Sequence, residues 1–326
     1  MLAAWTALPP VARPSTVDTL KLVIGAPLGA SPDLAGRSLG AAMIAAGQAQ
    51  SAVYDNKSGG AGVAALLDFA GDERGNAAAL MVAGSRMIGV IAPGEPLDAL
   101  HRVTPIARLS SNALLLAVAD GSPIRRTADL ALRLQAQPTS ITWGGGYRGS
   151  VEHALAGLFA RAVGVPAGRL NHVPLAGGRD IVAALRDGHI HIGIGLADEL
   201  LPLAGAGRLR ALAVTNGEGT AGVASLRQQG IDLEAGHWHG VFAPDGLDDA
   251  IRLQRIESVR LATDALIWQQ ALARHRWNMA PLFGDDFGTF VRAEARRFDG
   301  VMRELGVRRQ QAGTEALSAL GRTGLA

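Results

Sequence analysis

Four times along the chain, a short apolar run breaks into glycines and then resumes with the spacing of a helix. The breaks are PLGASPD (27–33), KSGGAG (57–62), GGGYRGS (144–150) and AGGRD (176–180). Each joins a predicted strand to a predicted helix: 20–26 to 33–47, 51–56 to 62–71, 140–143 to 150–164, and 170–175 to 178–188. Further strands are expected at 78–84, 112–119, 189–195 and 209–215, and further helices at 127–136, capped by Thr127, and at 197–207. A βαβα alternation of this kind predicts mostly parallel sheets with helices on both faces. Past HWHGVFAP (237–244), itself a strand, two longer helices are expected over 247–275 and 285–305. A chain of 326 residues suggests about two domains. With no Pro/Ser-rich linker, the chain should cross between them more than once, at NALLLAVADG and at HWHGVFAPDG.

Glycines at a helix start let successive backbone N–H groups converge on one point. The first turn of a helix leaves about four N–H groups unpaired and carries partial positive charge, so it suits an anion. In open α/β sheets such loops lie at the carboxyl ends of the strands, where ligands bind. A tight turn is explanation enough for any one of these loops; four together point to a shared anion-binding cleft. The candidate ligand-binding residues are Gly29, Ala30, Ser31 and Asp33 in the first loop, and Ser58, Gly59, Gly60, Ala61 and Gly62 in the second. Ser85 and Arg86 follow the next strand. Gly145, Gly146, Tyr147, Arg148, Gly149 and Ser150 form the third loop, Ala176 and Gly177 the fourth, and Asp198 follows a later strand.

Gly144, Gly146 and Gly149 also fit G-x-G-x-x-G, the dinucleotide fingerprint. The acid expected about 20 residues further on is missing. A second partial match, Gly60-x-Gly62-x-x-Ala65 with Arg86 downstream, lies in the other half. G-x-S-x-G and the P-loop pattern are both absent. His189-x-His191 and His237-x-His239 each place two imidazoles on one strand face, half a metal site without a third ligand, so no metal is expected. Glu152 suits a helix dipole better than a general base, and capping accounts for Asp198 and Glu199. Thirty-one Lys and Arg against 29 Asp and Glu leave a net charge of +2, with no basic cluster interleaved with aromatics, which argues against a nucleic-acid partner. The chain has no cysteine, and no apolar run approaches the ~20 residues of a membrane span. MLAAWTALPPVARPS (1–15) lacks a leading basic residue and reads either as the remnant of a trimmed export signal or as a leader.

In this order the loops resemble the solute-binding receptors of tripartite tricarboxylate transporters, the Bug/TctC family. The motifs that carry the resemblance are APLGASPDLAGR (26–37), DNKSGGAGVAA (55–65), the stretch from Trp143 to His153, VPLAGG (173–178), GRLRALAVTNGEG (207–219) and WHGVFAPDGL (238–247). The likeness runs from about Leu20 to Arg297. It implies an α/β, two-lobed periplasmic-binding-protein-like fold of type II with two hinge crossings. One lobe would be 1–116 plus 238–326 and the other 117–237, with the cleft between them. It also implies capture of a small organic acid, a di- or tricarboxylate or a related carboxylate, by backbone amides. Delivery to a membrane permease would follow, in the periplasm, by a monomer without catalysis or cofactor. Ala30 stands where a second glycine is usual, Tyr147 and Arg148 where small residues are usual, and Leu175 where an aromatic is usual. Arg148 inside the cleft would pair with a second carboxylate and favour a compact diacid. A nicotinamide-dependent oxidoreductase using Gly144–Gly149, or a cytosolic carboxylate-sensing module, remain the alternatives from the residues alone.

Overall fold

The computed structural model describes residues 16–91 and 97–307. Residues 1–15, for which an export-signal remnant or a leader was expected, and those after Val307 lie outside the described residues. The strands are β1 (Val17–Ile24), β2 (Ala49–Asn56), β3 (Ala79–Gly84), β4 (Val103–Val118), β5 (Thr142–Gly144), β6 (Asn171–Val173), β7 (Ile192–Leu196), β8 (Arg210–Val214), β9 (Gly236–Pro244) and β10 (Met279–Phe283). The helices are α1 (Ser31–Ala45), α2 (Val63–Asp72), α3 (Ser85–Ile91), α4 (Leu97–Leu100), α5 (Thr127–Ala136), α6 (Val151–Ala162), α7 (Gly178–Arg186), α8 (Ala197–Gly205), α9 (Asp249–Asp264), α10 (Leu266–His275) and α11 (Gly284–Glu304). No helix among the described residues is long and apolar enough to cross a membrane.

The strands follow the order β2-β1-β3-β9-β4-β7-β5-β6, with β10 and β8 also on β4. Two parallel groups, β2-β1-β3 and β7-β5-β6, stand at either end, as the βαβ units require. Every pairing of β4 and β9 is antiparallel. These two are the strands by which the chain passes between the groups. β4 is longer than the sequence suggested: Val103–Ala113 pairs with β9 in the first sheet, and Leu114–Val118 pairs with β7 and β8 in the second. At the changeover Thr215 Oγ1 accepts the Leu114 N–H at 2.8 Å, while Thr215 N–H donates to Leu114 O at 3.0 Å.

Each sheet is packed on both faces. Leu20, Leu22, Leu39, Met43, Val241 and Trp268 fill one side of the first sheet. Phe69, Met81, Met87, Phe242 and Phe287 fill the other. The second sheet has Trp143, Leu155, Phe159 and Ile194 on one face, and Leu115, Ile181 and Leu200 on the other. The long C-terminal helix departs from the division expected of it. Phe287, Val291 and Ala295 of α11 pack on the first sheet, but Phe298, Val301, Met302 and Leu305 enter the core of the second. Arg161 pairs with Glu304 at 2.9 Å across this contact.

Three local differences have local causes. The expected 247–275 helix breaks at Ala265, which is extended (φ −67°, ψ 143°); Gln269 Nε2 donates to the freed Thr263 carbonyl at 2.9 Å. β10 then adds to β4 where only a break was expected. Thr127 does not cap α5: Asp129 accepts the N–H groups of Arg125 and Arg126, and Thr127 Oγ1 donates to Gln229 instead.

Candidate functional site

A cavity of about 780 Å³ opens between the two sheets, within the ordinary range of small-ligand sites. From the first sheet it is bordered by Gly25–Ala26, the start of α1, the Gly59–Gly62 loop, and Ser85 and Arg86 at the start of α3. From the second it is bordered by Gly146, Tyr147, Glu152, the 174–178 turn, 194–196 and Glu199. His237, Trp238 and His239 of β9, with Trp277, form the floor between them.

Eleven of the candidate residues border this cavity: Ala30, Ser31, Gly59, Ala61, Gly62, Ser85, Arg86, Gly146, Tyr147, Ala176 and Gly177. Gly29, Asp33, Ser58, Gly60, Gly145, Arg148, Gly149, Ser150 and Asp198 do not. Asp33 is buried behind its loop. It accepts the Gly29 N–H at 2.8 Å, Arg37 Nε at 2.9 Å and Asn56 Nδ2 at 2.9 Å. Burial alone would raise the Asp33 pKa; these hydrogen bonds outweigh it and hold the carboxyl below its usual range. Asp33 therefore shapes the first loop and leaves the cavity to Ser31. Ser31 Oγ is itself 2.9 Å from His239 Nε2, and Ser110 Oγ is 2.9 Å from His239 Nδ1. His239 is buried, and burial, with lesser contributions from His237 and His275, lowers its pKa to about 3, so it is neutral at ordinary pH.

The second loop is open. Gly59, Gly60 and Gly62 have φ of 139°, 52° and 108°, values that L side chains resist. Gly62 also lies against Gly25: a Cβ on Gly62 would meet Gly25 O at 3.1 Å, and one on Gly25 would meet Gly62 Cα at 2.9 Å. The first turn of α2 holds no acidic residue, and no side chain caps it. Lys57 turns aside to Asp68, 2.9 Å away. Arg86 borders the same region, its guanidinium 5.3 Å above the Tyr147 ring of the opposite side.

The third loop is filled by its own chain. Ser150 caps α6 by accepting the His153 N–H at 3.3 Å. His153 Nδ1 accepts the Gly149 N–H at 3.0 Å, and His172 Nε2 donates to Gly145 O at 2.7 Å. The two rings lie 4.2 Å apart. Burial chiefly, then the charges of His172 and Arg148, lower the His153 pKa to about 3. Arg148 does not enter the cavity. Its guanidinium donates to Leu305 O at 3.2 Å and Gly306 O at 3.1 Å, the unpaired carbonyls at the end of α11. The expected second-carboxylate partner is thus a helix cap.

Glu152 and Glu199 were missed as cavity residues because their positions at helix starts are explained locally by dipole and capping. Glu152 Oε1 accepts His237 Nε2 at 2.8 Å, joining α6 to β9. His237 Nδ1 lies 3.4 Å from Ser85 Oγ. Burial would raise the Glu152 pKa; the His237 hydrogen bond and charge, with help from Ser150, bring it down to about 2. The HWH stretch, weighed in sequence as half a metal site, is thus a polar crosspiece tying α1, α3 and α6 together. No group of three or more metal-ligating side chains occurs among the described residues. In the fourth loop Gly178 N–H donates to Glu199 Oε2 at 3.3 Å.

A model of the TctC family, described as the tripartite tricarboxylate transporter family receptor, matches residues 38–307. A TctC solute-binding protein from Polaromonas, without ligand, aligns at TM-score 0.76 and 22% identity over 88% of this chain and 99% of its own. An R. palustris protein with adipate aligns at 0.64 and 23% identity, covering 89% and 97% of the two chains. MatC from Rhodopseudomonas palustris with bound malate aligns at 0.62 and 21% identity, covering 88% and 99%. At these identities the structures establish a common periplasmic-binding-protein-like fold. No curated protein matches the chain.

Proposed function

Because the chain belongs to the tripartite tricarboxylate transporter receptor family, we propose that it captures a small organic acid in the cavity between its two sheets and hands it to a membrane permease. The two sheets act as lobes that close on the ligand about β4 and β9, and the protein works as a periplasmic monomer without turnover. The observation that carries this reading is the Gly59–Gly62 loop. It borders the cavity, its helix start holds no acid of its own, and Arg86 lies beside it. A ligand carboxylate placed there meets the positive end of α2, which no side chain caps, and a nearby guanidinium. The malate- and adipate-bound relatives carry ligands of this class. At the corresponding third loop, where a dinucleotide would need its pyrophosphate, the Glu152 carboxylate already stands near the α6 start, which disfavours the oxidoreductase alternative.

Titration calorimetry of the pure protein against a panel of organic acids is the direct test. One acid per chain should bind at micromolar affinity or better, on the order of −8 kcal/mol. Solution scattering should show a smaller radius of gyration with that acid bound. Steady consumption of the acid by the protein alone would overturn the proposal.

A further inference from the structure

The charged side chains around the cavity are unevenly divided. Among the described residues, the only full cation bordering it is Arg86, on the first-sheet side; the two carboxylates, Glu152 and Glu199, are both on the second-sheet side. Glu152 is engaged by His237. Glu199 is exposed in the cavity wall, and the hydrogen bond it accepts from Gly178 is long, at 3.3 Å. Its Oε2 lies over the fourth glycine loop: a Cβ built on Gly178 would meet it at 3.3 Å, and one on Gly177 at 3.9 Å. The amides of that loop, which by sequence should receive an anion, are therefore covered by an anion of the chain itself. Arg148, the cation that the sequence suggested for the cavity, is tied to the end of α11.

We propose that the ligand carries one carboxylate at the Gly59–Gly62 loop and a cationic group at its far end, and that Glu199 is the residue that selects for that cation. This rests on the carboxylate assignment above. A second carboxylate at the far end would lie beside Glu199, with no Lys or Arg of the described residues bordering the cavity on that side to offset it, a like-charge contact that interfaces use to reject the wrong partner. A protonated amine there replaces repulsion by a charge-assisted hydrogen bond.

The experiment compares three end groups at two chain lengths by calorimetry at neutral pH: butyrate and hexanoate, succinate and adipate, γ-aminobutyrate and ε-aminocaproate. At one length or both, the amino acid should bind more tightly than the monoacid and the monoacid more tightly than the diacid. Glu199→Gln keeps an oxygen for the Gly178 N–H, so the fold is retained, and melting temperature checks this. The variant should lose roughly tenfold in affinity for the amino acid, as expected for one charge-assisted contact, leave the monoacid unchanged and bind the diacid better. If the diacid binds wild type most tightly, or if Glu199→Gln weakens all three classes alike, the proposal is overturned while carboxylate capture stands. If none of the acids binds, carboxylate capture falls and the proposal with it.

Discussion

The Gly59–Gly62 loop and the Gly145–Gly149 loop look alike in sequence: a strand, a run of glycines, then a helix. In the folded protein they are opposites. The first leaves the start of α2 without an acid or a side-chain cap, and its residues border the cavity. The second is closed off by Ser150, His153, His172 and Glu152, with Arg148 tied to α11. Glycine spacing reports that a backbone can curl around an anion. Whether a ligand or a side chain supplies that anion depends on residues far away in the chain.

The comparison breaks most readily at the open loop. Gly62→Val combines a φ of 108° with a contact against Gly25. It should abolish acid binding and cost about 2–4 kcal/mol of stability, read by calorimetry and urea unfolding. Retained affinity in a folded variant would mean that the carboxylate sits elsewhere. At the closed loop, Glu152→Ala removes the carboxylate that joins α6 to His237. The depressed Glu152 pKa means its contribution is complete above pH 4.5 and disappears as pH falls through about 2. At pH 7 the substitution should destabilise by about 2–3 kcal/mol, and this difference should shrink in acid.

His153 sharpens the contrast in another way. Its pKa is lowered from 6.5 to about 3, so the unfolded chain takes up a proton near pH 6.5 that the folded chain refuses until about pH 3. Stability should therefore be full above pH 6.5 and fall as pH drops toward 3, by up to about 2 kcal/mol from this group at pH 5. His153→Asn retains an acceptor for the Gly149 N–H and should flatten that slope; an unchanged slope would place the acid sensitivity in His239. The smallest effect belongs to Arg148→Ala. Losing an exposed cap of α11 should cost about 0.5–1 kcal/mol and leave acid affinity unchanged. A selective loss of diacid binding would put Arg148 back in the recognition chemistry.

The sequence by itself determined the βαβα alternation, most of its helices and the places where glycine is required, because these follow from periodicities of two and 3.6 and from backbone sterics within a few residues. The family and the fold were also legible, from six short motifs in order. Only the tertiary structure decided which glycine loop stays open. Glu199 reaches Gly178 from 21 positions away, His237 reaches Glu152 from 85, and Arg148 reaches Leu305 from 157. No local pattern encodes such pairings. The same holds for α11: its helical spacing is plain, but the apolar turns from Phe298 to Leu305 reveal their place in the second sheet's core only when that core is assembled. A helix start is a standing positive potential, and the group that satisfies it is the nearest anion in space, whichever part of the chain or of the solvent provides it.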